Sequence, residues 1–179
     1  MIDVVVVSHK NEAQDICSYE LARVDDSALP GFSAGAHIDV HLPGGLIRQY
    51  SLCNHPEDRH RYLIGVLKDP ASRGGSQCLH EQINTGDRLR ISEPRNLFPL
   101  AHQARRSLLF AGGIGITPIL CMAERLAHSD ADFELHYCAR SSERAAFVER
   151  IKNSSFADRV FLHFDEQPEI ALNAARVLA

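Results

Sequence analysis

The sequence carries no clustered cysteines, no metal-ligand spacing, no excess of one charge and no apolar run of membrane length. Its five cysteines, Cys17, Cys53, Cys78, Cys121 and Cys138, are odd in number and scattered, with no C-x-x-C pair and no secretory leader ahead of them. That pattern favours free thiols in a reducing cytoplasm over a disulfide framework. The ten histidines fall into no H-E-x-x-H or comparable spacing, so no metal site is expected. A formal net charge of −4, with acids and bases interspersed, leaves no footprint for nucleic acid or an anionic membrane surface. The uncharged stretch from Ser107 to Met122 is too short to span a bilayer, and Gly112, Gly113, Gly115 and Pro118 would break a spanning helix. No internal repeat or low-complexity tract is visible. These exclusions leave a globular protein whose partner is a small molecule or another protein, with a hydrophobic fraction of 45% to build its core.

Two rhythms divide the chain. In the first hundred residues, short β-branched or alternating runs are separated by glycine and proline turns: Ile2 to Ser8, Tyr19 to Val24, Ala36 to Leu42, Leu46 to Asn54, Arg61 to Leu67 and Arg88 to Ile91. That spacing predicts a small closed barrel or a sandwich. From Ser107 the pattern becomes βαβαβ: strands over Ser107 to Ala111, Phe133 to Cys138 and Val160 to Phe164, with helices over Pro118 to Leu126 and Ser142 to Lys152. Thr117 is placed as the N-cap of the first helix and Pro118 at its first helical position. Such alternation predicts a parallel sheet with crossover helices. The boundary is placed within Pro99 to Ala104, giving domains 1–102 and 103–179. Three parallel strands, followed by a helical-looking segment from Glu169, fall short of a complete dinucleotide-binding sheet, so the chain is expected to be the front part of a longer protein.

Four segments carry chemistry. Arg48-Gln49-Tyr50-Ser51 puts a cation, an aromatic face and a hydroxyl on one strand, with Arg48 and Tyr50 on the same side. Alone, it also fits an edge strand with a routine tyrosine. Arg73-Gly74-Gly75-Ser76 precedes a short helix and has the makings of a phosphate cradle, though a lone G-G-S is more often a surface turn. Gly112-Gly113-Ile114-Gly115-Ile116-Thr117-Pro118 is a glycine turn between a buried strand and a helix start. It suits a pyrophosphate at the helix end, although the G-x-G-x-x-G fingerprint is absent. Arg140 and Arg144 follow the second parallel strand, where they would meet a 2′-phosphate or pair with neighbouring acids.

Taken in order, R-Q-Y-S-L-C-N (48–54), G-G-S (74–76), P-R-N-L-F-P-L (94–100) and A-G-G-I-G-I-T-P (111–118) resemble the ferredoxin-NADP reductase superfamily. Within it, they resemble the group of phthalate dioxygenase and vanillate O-demethylase reductases. The resemblance implies an antiparallel Greek-key β-barrel flavin domain followed by an incomplete parallel-sheet nucleotide-binding domain. It implies FMN held by Arg48, Tyr50, Ser51 and Leu52 with Gly74, Gly75 and Ser76, Phe98 near the ring, and NADH at Gly112, Gly113, Gly115, Thr117 and Arg140. The short connection after Ser76 favours FMN over FAD. Hydride would pass from NADH to FMN, and electrons would then pass singly through a ferredoxin-type 2Fe-2S centre, carried beyond Ala179, to an oxygenase component or its ferredoxin. No side chain is needed as a catalytic acid or base. The rival readings are a stand-alone flavin reductase and a non-catalytic flavin-binding module.

Overall fold

A computed structural model describes residues 1–101 and 103–177. The first half forms β1 (Ile2–Ala13), β2 (Ile16–Arg23), β3 (His37–His41), β4 (Ile47–Ser51), β5 (Tyr62–Leu67), the helix α1 (Gly75–Gln82) and β6 (Arg88–Ile91). All pairings are antiparallel, in the order β4-β3-β6-β1-β2-β5. Just past β4, Leu52 bridges Ile64 of β5, so the two ends of the sheet meet and the barrel closes. The barrel alternative is therefore the one realised, and closure removes the unpaired edges that an open six-stranded sheet would expose.

Alternation explains why these residues face inward. Val4 and Val6 on β1, Tyr19 and Leu21 on β2, Ile38 and Val40 on β3 and Ile64 on β5 are fully buried, while Asp3 and Val7 point outward. Each such side chain contributes about 1.5–3 kcal/mol of transfer free energy, which gives the barrel a self-contained core. Two irregularities in the β1–β2 ladder, after Val6 and after Asn11, carry the long hairpin past the barrel wall toward the second half.

The second half contains β7 (Ser107–Gly112), α2 (Ile116–His128), β8 (Phe133–Ala139), α3 (Val148–Lys152), β9 (Val160–Phe164) and α4 (Ala174–Val177). The sheet is parallel in the order β7-β8-β9. Leu109, Ala111, Leu135 and Tyr137 pack beneath Ile119, Leu120, Ala123 and Leu126 of α2. On the opposite face, Phe110 and Phe161 remain 39% and 44% exposed on either side of His136. The core of this half also takes in Ile16, Ala34 and Cys53 from the barrel, so the two halves share apolar packing.

Three local expectations are corrected. The helix expected over Ser142 to Lys152 is split: Ser142–Arg144 is a 3-10 turn, and Phe147, at φ 62°, breaks the chain before α3. The backbone there is held by the Tyr137 hydroxyl, which accepts the Ala146 N–H at 2.9 Å. Thr117 is not an N-cap, because Gly113–Gly115 winds as a 3-10 turn and α2 starts at Ile116. Thr117 lies inside the first turn, and its hydroxyl donates back to the Ile114 carbonyl at 3.1 Å. The segment from Glu169 contributes only the end of a 3-10 turn, Pro168–Ile170, and the four-residue α4. His102, at the expected boundary, and Leu178 and Ala179 lie outside the described residues.

Candidate functional site

Two cavities meet on β5. The first is a groove of about 320 Å³ bordered by Arg48, Gln49, Tyr50, Leu67, Asp69, Ser72, Arg73 and Ser76. The second is a cleft of about 720 Å³ between barrel and parallel sheet, bordered by Gln14, Asp15, Leu67, Lys68, Asp69, Gly112, Gly113, Arg140, Arg144 and Asp165. Leu67 and Asp69 border both, so a group in one lies beside a group in the other.

In the groove, the strand motif and the glycine turn are joined physically. Gly74 takes a left-handed conformation, φ 85°, and turns the chain into α1. A Cβ on Gly75 would come within 2.5 Å of the Arg48 side chain, so the missing side chain is what lets Arg48 lie against the start of the helix. The Arg48 guanidinium donates to the carbonyls of Arg73 and Ile47, both at 2.8 Å. The Ser76 hydroxyl accepts the Asp69 N–H at 3.2 Å, tying the turn back to the end of β5. Tyr50 is half-buried, and burial pushes its phenol up to about 12. Two arginines, hydroxyl groups and a tyrosine face form a donor set suited to an anionic ligand with a flat ring.

Ser51 closes β4 opposite His37 and lies just beyond the groove, whereas Gln49, which alternation points away, borders it. Leu52 is fully buried in the barrel core, and its N–H donates to the Ala36 carbonyl at 2.9 Å. Its side chain therefore belongs to the barrel closure. Phe98 is 54% exposed and borders neither cavity; its segment runs past the Gly35 turn, where the Phe98 carbonyl packs closely.

The cleft gathers the glycine turn at the C-terminal ends of the parallel strands, the place where open α/β sheets bind ligands. Gly113, at φ 50°, has nothing within 4 Å of where a Cβ would stand, so its backbone faces open space. Gly115 is also unobstructed but does not border the cleft. Thr117 is buried away from it. Arg140 lines the cleft just past β8, and Arg144 reaches Asp15 on the barrel hairpin at 3.7 Å. Asp165, directly after β9, brings a carboxylate to the cleft; burial, with a smaller contribution from Asp165, pushes the nearby Cys138 thiol up. Leu67, Asp69, Asp15 and Asp165 were not signalled by any motif. They come from strand ends and turns whose meeting depends on tertiary packing.

A closed antiparallel barrel followed by a parallel sheet with a glycine turn, with a cleft between them, is the architecture of flavin and pyridine-nucleotide reductase domains. Comparison with known proteins gives the same class. The chain is 79% identical, over 179 residues, to the vanillate O-demethylase oxidoreductase of Pseudomonas putida, matching all of this chain and 56% of that protein. It is 44% identical over 161 residues to a phthalate 4,5-dioxygenase oxygenase reductase subunit of Pseudomonas putida, covering 89% of this chain and 50% of that one. Among solved structures, phthalate dioxygenase reductase, described as a modular structure for electron transfer from pyridine nucleotides to a 2Fe-2S centre, superimposes with a TM-score of 0.93 at 38% identity. That match covers 98% of this chain and 56% of the other. No family model matches. The chain is a close homologue of the vanillate O-demethylase and phthalate dioxygenase reductases, and its fold matches the ferredoxin-NADP reductase-like flavin and nucleotide-binding domains. It spans about half the length of these relatives.

Proposed function

We propose that this chain is the flavin- and nucleotide-binding portion of a reductase component that takes electrons from NADH into FMN and passes them toward an oxygenase. Residues 1–102 are the flavin domain and residues 103–179 part of the nucleotide domain. The observation that carries the reading is the sharing of Leu67 and Asp69 by the two cavities, since ring-to-ring transfer needs two sites that touch. The groove's donor set fits FMN. Arg48 and Arg73 would hold the phosphate, helped by the Gly74-Gly75-Ser76 turn, and Tyr50 with the end of β4 at Ser51 would face the ring. When bound, the flavin would supply a hydride-accepting ring able to release electrons singly.

The chain after Ser76 supports FMN over FAD, because α1 leads into β6 with only Ile83 to Asp87 between them. Gly112 and Gly113 would let a pyrophosphate approach the backbone at the start of α2, with Arg140 on the same cleft. Asp165 supports NADH over NADPH: a carboxylate there accepts hydrogen bonds from ribose hydroxyls and repels a 2′-phosphate, while Asp15 engages the charge of Arg144. The site residues position and exclude; none is required to transfer a proton.

The test is anaerobic mixing of the FMN-loaded protein, extended to the length of its relatives, with NADH or NADPH, followed by flavin absorbance. NADH should bleach the bound flavin at least about tenfold faster than NADPH, the effect of one unfavourable charge contact of about 1.4 kcal/mol. Absence of NADH-dependent bleaching would overturn the reading. Release of free reduced flavin would favour the stand-alone flavin reductase.

A further inference from the structure

β5 packs closely against the second half at a position where it has no side chain. A Cβ on Gly65 would stand 2.7 Å from the Thr117 Cγ2 methyl of α2 and 3.1 Å from the Cε2 and Cζ atoms of Phe147. Both partners are fixed. Thr117 is buried and bonded to Ile114, and Phe147 is buried in a left-handed backbone conformation that is uncommon for a bulky residue. Neither can withdraw cheaply. Around this point lie weaker ties: the Gln14 N–H donates to the Glu143 carbonyl at 2.8 Å, Arg144 meets Asp15, and His128 meets Glu57 at 3.5 Å. Two residues further along the same strand, Leu67 borders both cavities.

We infer that Gly65 is a positioning residue: its bare backbone seats Thr117 and Phe147, and this seating sets the separation of the groove from the cleft. The main-chain angle at Gly65 is not in the left-handed region, so alanine strains nothing but this contact. A methyl group there acts as a wedge that tilts the parallel sheet away from the barrel while leaving Arg48, Tyr50 and the Gly74-Gly75-Ser76 turn in place. Only the catalytic arm of the test rests on the proposed function.

The test compares Gly65→Ala, Thr117→Ser and the double variant in the full-length protein. Thr117→Ser keeps the hydroxyl bond to Ile114 and removes the methyl that the wedge would strike, so it makes room for the alanine. In the flavin-free protein, hydrogen exchange at the Gln14 amide should speed up in Gly65→Ala and return toward the wild-type rate in the double variant. In the flavin-loaded protein, NADH-driven bleaching should slow about 10- to 100-fold in Gly65→Ala with FMN affinity unchanged, and recover in the double variant. If Gly65→Ala alone does not fold, the double variant, which lacks the methyl that the alanine strikes, should restore folding and both wild-type readouts, and a double variant that also fails to fold overturns the inference. Unchanged exchange in the single variant overturns the inference, as does slowing that Thr117→Ser fails to relieve, or an equal loss of FMN affinity. Absence of bleaching in the wild type, with the exchange pattern intact, would instead count against the proposed function.

Discussion

The barrel and the parallel sheet solve the same burial problem differently. The barrel closes on itself through Leu52 and Ile64, and its core draws on residues 2–91 alone. The parallel sheet pairs β7 on one side only among the described residues, leaves Phe110 and Phe161 exposed, and borrows Ile16, Ala34 and Cys53 from the barrel. The difference assigns roles: the barrel is the rigid platform that carries the groove, and the parallel sheet is the dependent partner whose position relative to that platform makes the cleft.

The comparison breaks most sharply at the glycine turn. Gly113→Val should weaken nucleotide binding by about 100-fold or more, since it adds a branched side chain at φ 50° over the cleft and forces a conformation that costs about 1–3 kcal/mol. Gly115→Ala, outside the cleft and at an ordinary helical angle, should leave nucleotide binding within about twofold, because it adds no strain. Titration of both variants with NADH, read by flavin fluorescence, separates these outcomes. Equal effects would reduce the turn to a structural connection.

A second effect falls on the parallel sheet alone. Tyr137→Phe removes the buried acceptor of the Ala146 N–H and should cost about 1–3 kcal/mol. Thermal unfolding should show the loss, while FMN affinity, set by the barrel, stays unchanged. A parallel loss of FMN affinity would contradict the platform role.

The smallest effect is a pH dependence. His136 is buried between Phe110 and Phe161, its Nδ1 lies 3.0 Å from the His163 Nε2, and its Nε2 lies 3.5 Å from the Glu134 carboxylate. Burial pushes the His136 pKa below 6.5; Glu134 opposes that shift and His163 adds to it. The unfolded chain therefore binds the proton more readily, so stability is complete above pH 6.5 and falls as pH drops toward the lowered value. His136→Gln should flatten the slope by at most about 1.4 kcal/mol per pH unit, with His55, also lowered by burial, supplying the remainder. An unchanged slope in thermal melts from pH 7.5 to 5 would remove His136 from the account.

Much of this comparison was legible in the sequence because its signals are local. Arg88 to Ile91 and Val160 to Phe164 match their strands residue for residue, since period-2 patterns and turn residues act over a few positions. The broken second helix was not legible. Ser142 to Lys152 has no glycine or proline to stop a helix, and the break at Phe147 follows from tertiary contacts to Tyr137 and Gly65. In the groove, Arg48 and the Gly74-Gly75-Ser76 turn were readable as chemistry, but their joining depends on the Arg48 side chain crossing to Gly75. Leu52 and Thr117 show the converse. Both sit in motifs that resemble a binding sequence, and tertiary packing commits their side chains to the core.

The most direct measurement of the central claim, that the barrel groove holds FMN by its phosphate, is a calorimetric titration of wild-type and Arg48→Ala protein with FMN and with riboflavin. The wild type should bind one FMN and prefer it to riboflavin. The substitution should cost FMN about 10- to 100-fold, corresponding to a charge-assisted hydrogen bond of about 1.5–3 kcal/mol, and leave riboflavin nearly unaffected. Equal losses for the two ligands, or no preference for FMN in the wild type, would contradict the account.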